Sequence, residues 1–387
     1  MIEIIKIERK RILNIRTFLV FLLIVMLFAV YSTYSVLQSY NVPGPAGIAV
    51  TWRENLDHAK TNLQGEQIDR ELLSLMRQQE GEFTYVDERN LVELVSANYG
   101  GQSIRDLSDE DISSFYSRRL SNIRTMLEES QRILYTEKEI QQFMQSAKQV
   151  TEIKLGYAEG WKALNSDMGI FVDLLLILIS VLLLPLFGID PKSNMKELYR
   201  GTKYGKKPLD HARILAAFLI GVFLYVSGIF LFFIIRMVPF GLGGWNQHIQ
   251  SNRNMFFSLY HITNLQQFLL NAMIGLAALV FVVSMLMLIT AFMEKIMTSA
   301  VVYVFFWILL LLFDQMYLWP VNHYFANFMP LRMTSFSHYY TGNEIYRIFG
   351  VSLSCMTWSI VLSGLLAGIM MFVAAVSIRL RRKKGMY

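Results

Sequence analysis

Six long apolar runs interrupt this chain, and short clusters of lysine and arginine flank them on alternating sides. The runs are Thr17 to Leu37, Gly169 to Gly188, Ile214 to Ile235, Phe268 to Met293, Met297 to Leu318 and Ser354 to Ile378. Each is near the ~20 residues that a helix rising ~1.5 Å per residue needs to cross the hydrocarbon of a bilayer. Composition agrees, because 54% hydrophobic against 17% charged residues is too apolar a balance for a soluble domain to hide. The expected fold is an all-α polytopic membrane protein with six transmembrane helices at 17–37, 169–188, 214–235, 268–293, 297–318 and 354–378.

Orientation follows from the short flanks, since basic residues are retained on the cytoplasmic side. Lys6, Arg9, Lys10, Arg11 and Arg16 precede the first run, seven more from Lys192 to Arg213 fill 189–213, and Arg379, Arg381, Arg382, Lys383 and Lys384 occupy the tail 379–387. Both termini and the 189–213 loop are therefore expected in the cytoplasm, leaving 38–168, 236–267 and 319–353 outside. The first run is read as an uncleaved signal anchor, because it is long enough to span and no clear small-x-small cleavage site follows it.

Charge also divides the chain. Residues 38–168 carry 14 Lys/Arg and 21 Asp/Glu, net −7, while the remainder is net +13. The basic pI thus reports membrane flanks and gives no sign of a nucleic-acid partner. The acidic segment is long enough to form its own domain, and its patterns are mainly helical. Ser108 before Asp109, Glu110 and Asp111 is an N-terminal cap, after which Tyr116, Leu120, Ile123 and Leu127 recur at helical spacing. Thr136 with Glu139 makes a capping box ahead of Ile140, Phe143, Met144 and Ala147. Glu54 to Gln79 is amphipathic, and Phe83 to Tyr99 is open between strand and helix. The helix after Thr136 meets no strong stop before Asp167 and is expected to descend as a stalk into the second span, with Gly156 and Gly160 marking an alternative turn.

The loop Gly188 to Ala216 reads as a short amphipathic helix, a Gly/Pro turn and a basic re-entry into the membrane. Its residues Asp190, Met195, Leu198, Thr202, Gly205, Lys206, Leu209, Ala212, Arg213 and Ile214 follow a pattern that resembles the first cytoplasmic loop of ABC-2 type permeases, the membrane subunits of bacterial ATP-binding-cassette transporters. Departures are Asp190 for the usual Glu, Lys206 for Arg and Arg213 for Lys, all of which keep the charge sign. The basic amphipathic segment 1–16 is similar to that family's connecting helix, and the six spans and the short turn at Glu294-Lys295 fit as well. Residues 38–168 match only the subset with a large insertion after the first span.

The resemblance implies a permease in the bacterial cytoplasmic membrane, pairing as a homodimer with two copies of an ATPase subunit. Coupling would run through Lys192, Met195, Lys196, Glu197, Leu198, Arg200, Thr202, Gly205 and Lys206. ATP and magnesium would belong to the partner, with no cofactor on this chain and no catalytic residue of its own. Consistently, Gly201-Thr-Lys-Tyr-Gly205-Lys206-Lys207 has three residues between its glycines where a phosphate loop has four, and Lys207 stands where Ser or Thr would meet magnesium. The plainer reading of the loop is a basic anchor on anionic lipid. The family also implies export of an amphipathic peptide of the antimicrobial type, or of a lipid-like substrate. A membrane sensor or scaffold, whose extracellular helical domain binds a peptide and signals without transport, is the alternative.

Ionisable residues in the spans are the remaining candidates, since each is costly to place in hydrocarbon. Asp173, Asp314 and Arg236 lie near the outer ends and are read as a candidate substrate path, with Asp314 as a partner for Arg236 or an interfacial residue reaching headgroup water. Aromatic residues between Trp319 and Gly350 and around Trp245 have the composition of an interfacial belt. The six histidines show no zinc-like spacing and Cys355 is alone, so no metal site is expected.

Overall fold

The computed structural model of the chain describes residues 2–44, 49–62, 65–79, 83–130, 133–187, 207–293, 296–315, 319–348 and 350–383. Helix α1 (Ile2–Ile12) stops at a break where Asn14 caps α2 (Ile15–Ser39), its side chain accepting from the Thr17 amide at 2.9 Å. Six shorter helices follow: α3 (Trp52–Thr61), α4 (Arg70–Gln78), α5 (Val86–Asn98), α6 (Asp109–Ser113), α7 (Phe115–Glu128) and α8 (Glu137–Lys148). Then come α9 (Glu159–Phe187), α10 (Lys207–Phe240), α11 (Asn264–Phe292) and α12 (Ile296–Gln315). The short α13 (Trp319–Tyr324), α14 (Pro330–Met333) and α15 (Ser337–Thr341) precede α16 (Cys355–Lys383). Six of these, α2, α9, α10, α11, α12 and α16, are long and apolar enough to cross a membrane, one over each of the six apolar runs.

Local structure refines the sequence reading in two places and departs from it in two more. Glu54–Gln79 is two helices, with Gly65 at φ +82° between them. Phe83–Tyr99 is helical as α5, closed by Gly100 and Gly101, both at positive φ where a side chain would strain. The capping box of Thr136 and Glu139 is formed, but α8 ends at Lys148 and residues 149–158 are not helical. Lys154 instead bridges Gln67, so the stalk is interrupted and α9 starts afresh at Glu159. Finally, the fold is not purely α: β1 (Val42–Pro43) pairs with β2 (Ala49–Val50), and β3 (Ile345–Ile348) with β4 (Val351–Ser354), each an antiparallel hairpin.

The long helices pack around α11, of whose apolar stretch 61% is buried against 17% for α2 and 22% for α12 and α16. Apolar faces of those outer helices, such as Leu19, Leu23, Val304, Leu312 and Phe372, remain exposed as a lipid-facing surface would be. Close contact at the centre relies on small residues and rings. Gly228 on α10 lies against Leu175, where a Cβ would sit 2.6 Å from the leucine, and Phe171 stacks on Phe232 with centroids 4.1 Å apart. At the α1 end of the bundle, Arg213 donates to Glu8 at 3.2 Å and ties α1 to α10.

At the opposite end the helical domain of residues 40–158 grips two connecting segments. Phe256, from the α10–α11 connection, is fully buried in the same core as Leu73, Leu94, Val95 and Phe115. Burial of one such ring contributes roughly 1.5–3 kcal/mol. The β3–β4 hairpin is held by Glu139, which accepts from Arg347 Nε at 3.0 Å and Nη2 at 2.7 Å and from Ser352 Oγ at 2.6 Å. The Arg347 guanidinium therefore keeps the Glu139 carboxyl far below the usual carboxylate range.

Candidate functional site

Between α9, α11 and the segment around α14 and α15 lies a cleft of about 540 Å³ at the domain end of the bundle. Its α9 wall is Lys162, Asn165, Ser166, Gly169, Ile170 and Asp173, whose spacing of three and four places them on one helical face over three turns. Gln267 and Asn271 face it from α11, one turn apart. Asn252, Asn254 and Met255 come from the α10–α11 connection, and Leu331, Thr334 to Ser337 and Thr341 close the far side. Gly169 permits this closure, because a Cβ there would run into the Thr334 carbonyl.

Hydrogen bonds fix the cleft floor. Tyr340 donates its phenol to Asn271 Oδ1 at 2.8 Å, Asn271 Nδ2 donates to Asn165 Oδ1 at 3.3 Å, and Asn165 Nδ2 donates to the Asn264 carbonyl at 3.2 Å. This chain joins α15, α11 and α9 across the cleft. Thr334 Oγ1 donates to Asp173 Oδ1 at 2.5 Å, and Lys162 Nζ meets Glu159 Oε1 at 2.8 Å. The two charged residues of the lining are thus engaged by neighbouring side chains, and the rest of its polar surface is carboxamide and hydroxyl.

Of the three residues read as a substrate path, only Asp173 lines this cleft. Arg236, fully buried, lies instead between α2 and α9: its Nη2 donates to Asp167 Oδ2 at 2.5 Å and to Ser32 Oγ at 2.6 Å. Ser32 in turn donates to the same carboxylate oxygen at 2.7 Å. Asp167 is therefore the partner of Arg236, not Asp314, which the sequence left open between that role and an interfacial one, and the pair serves to lock three helices together. Asp314 falls in the last turn of α12, and its side chain lies outside the described set. The coupling residues Lys192, Met195, Lys196, Glu197, Leu198, Arg200, Thr202, Gly205 and Lys206 lie outside the described residues.

Residues that matter to the cleft but carry no motif are Asn165, Gln267 and Asn271. Their signal was the polar stripe interrupting α9 and the start of α11 at helical spacing, which an apolarity search discards as flanking sequence.

The α15 segment also carries a titratable group outside the cleft lining. His338 on α15 donates from Nδ1 to the Ser335 carbonyl at 2.5 Å, and burial, then the Arg332 charge, pushes the imidazole down to about 4. The unfolded chain takes up this proton near pH ~6.5. Between these values the unfolded state binds more protons, so stability falls as pH drops from about 6.5 through about 4. A His338→Gln variant is expected to flatten that part of the thermal midpoint against pH; an unchanged slope would place the sensitive group elsewhere.

No family model, curated protein or solved structure gives a match to this chain.

Proposed function

We propose that the chain is the membrane permease of an ATP-driven transporter of the ABC-2 type, which takes an amphipathic peptide or a lipid-like substrate through the polar cleft. The observation that carries the reading is the cleft itself: a cavity of about 540 Å³ walled by carboxamides and hydroxyls among membrane-length helices. Ionisable residues such as Lys162 and Asp173 in such a setting mark candidate functional sites. Further support comes from the loop pattern from Asp190 to Ile214 and from the amphipathic α1 seated on α10. On this reading the domain of residues 40–158 is extracellular, transport is outward, and the domain shapes the cleft by holding the Asn252–Met255 wall. Two permease copies would assemble with two ATPase subunits acting on the 189–213 loop.

A double change, Glu197→Lys with Leu198→Asp, tests the coupling. Membrane insertion should be normal, while recovery of a phosphate-loop ATPase by gentle detergent pull-down, and ATPase activity in the eluate, should fall at least severalfold. Unaltered recovery and activity would leave the loop as a lipid anchor. Purification of the wild-type chain with a kinase in place of an ATPase would turn the reading to a peptide sensor.

A further inference from the structure

We propose that the cleft reads the main chain of an extended peptide, with Gln267 as the residue that pairs with one peptide unit. This rests on the cleft being the substrate site and narrows the substrate to a peptide.

Gln267 is 5% exposed and lines the cleft, and its carboxamide makes no hydrogen bond to another described residue, its polar atoms being open to the cleft. Such a group takes its bonds from its neighbours or from what the cleft holds. Its neighbours do not offer that, because Asn165, Asn271 and Tyr340 are committed to one another in the chain of bonds across the floor. A carboxamide presents one acceptor and two donors in a plane, which matches the C=O and N–H of a peptide unit and allows two bonds at once.

The rest of the lining favours the same ligand. Those carboxamides and hydroxyls of the lining that are not already bonded within the protein, Gln267 among them, would be stranded against an acyl chain, which can pair with none of them. A sugar ring would look for an aromatic face, and the one aromatic residue of the lining, Phe336, is 4% exposed. Apolar Ile170, Met255 and Leu331 stand between the polar groups, where they can receive side chains of a bound strand. Lys162 and Asp173 are engaged with Glu159 and Thr334, so selection rests on neutral hydrogen bonds and tolerates many peptide sequences.

The test uses the full chain in lipid nanodiscs and a fluorescent library of randomised twelve-residue peptides, read by anisotropy. Gln267→Leu is expected to weaken binding at least about tenfold, the scale of one or two lost hydrogen bonds to an enclosed group. Its thermal midpoint should be unchanged, because no hydrogen bond within the protein is lost; a packing role would lower it. The same library with alternate backbone nitrogens methylated should compete poorly, and maltoheptaose and lysophosphatidylcholine should not displace the probe. No binding by the library, equal affinity of the variant, equal competition by the methylated peptides, or displacement by the sugar or lysolipid would each overturn the proposal. Peptide binding without ATP-dependent transport would defeat the permease reading alone, whereas transport with a Gln267-insensitive cleft would defeat this proposal alone.

Discussion

Asp167→Ala should destabilise the folded chain by about 3 kcal/mol, the low end of the range for removing one partner of a buried ion pair, since Arg236 is enclosed while the Asp167 side chain is 29% exposed. Arg236 is 0% exposed, with Nη2 given to Asp167 and Ser32, and with Nε and Nη1 unpartnered. The guanidinium already lacks part of its hydrogen bonding, so the carboxylate is what makes its burial tolerable. Without Asp167 a full charge stays enclosed at the junction of α2, α9 and α10, beside Phe232 at 5.3 Å from the ring. Replacing both partners, as Asp167→Ala with Arg236→Met, removes the charge along with the need for it, and methionine can fill the space against the ring. The double variant is therefore expected to regain most of the loss. Thermal midpoints followed by size-exclusion in detergent would check this; equal losses in the single and double variants would mean that shape at the junction, not charge, sets its stability.

The six membrane-length helices were legible because hydrophobic length is a property of contiguous residues. Their ends were less so. The second apolar run starts at Gly169, yet α9 starts at Glu159, since Lys162, Asn165 and Asp167 in its first turns point at protein groups and cleft where polarity is satisfied. Capping signals at Ser108 and Thr136 were equally readable, because the cap and its acceptor lie three residues apart. The other work of Glu139 was not, because its arginine partner is 208 residues away in sequence. For the same reason Arg236 could be recognised as needing a carboxylate, while the choice of Asp167 over Asp314 awaited the packing of α9 on α10. The β3–β4 hairpin hid in an aromatic-rich stretch that reads as interfacial belt, though the β-branched and aromatic residues of Ile345–Ile348 ahead of the turn residue Gly350 were local signs of it. Of the cleft, only Asp173 stood out beforehand, since charge in an apolar run is conspicuous and a carboxamide at its edge is not.

Arg119→Ala should cost about 2–3 kcal/mol in the domain of residues 40–158 and should release its hold on the α10–α11 connection. Arg119 is 1% exposed and has no acidic partner among the described residues; Nε donates to the Phe256 carbonyl at 2.9 Å, Nη1 to the Ala147 carbonyl at 3.4 Å and Nη2 to the Ser258 carbonyl at 3.3 Å. Two effects oppose each other. Burial lowers the guanidinium to about 10, so it is still charged at neutral pH and removing it recovers the desolvation of an ion. Against that, the Phe256 carbonyl loses its donor at roughly 1–3 kcal/mol, while the Ala147 and Ser258 carbonyls keep bonds from Val150 N at 3.3 Å and Gln250 Nε2 at 3.2 Å, and alanine adds a cavity beside Phe256. The unmet Phe256 carbonyl and the cavity together exceed the recovered desolvation, so the net sign is destabilising. Arg119→Met fills the cavity and should lose less than alanine. Arg119→Lys keeps the charge but offers one compact ammonium where a planar fork reached three acceptors; it should fall between the two. Because the same connection supplies Asn252, Asn254 and Met255 to the cleft, the alanine variant should also expose residues 241–263 to limited proteolysis and weaken peptide binding, with Gln267 untouched. Proteolysis rates and anisotropy titrations on the three variants separate the outcomes: a loosened connection with unchanged binding would show that the cleft holds its shape without the domain.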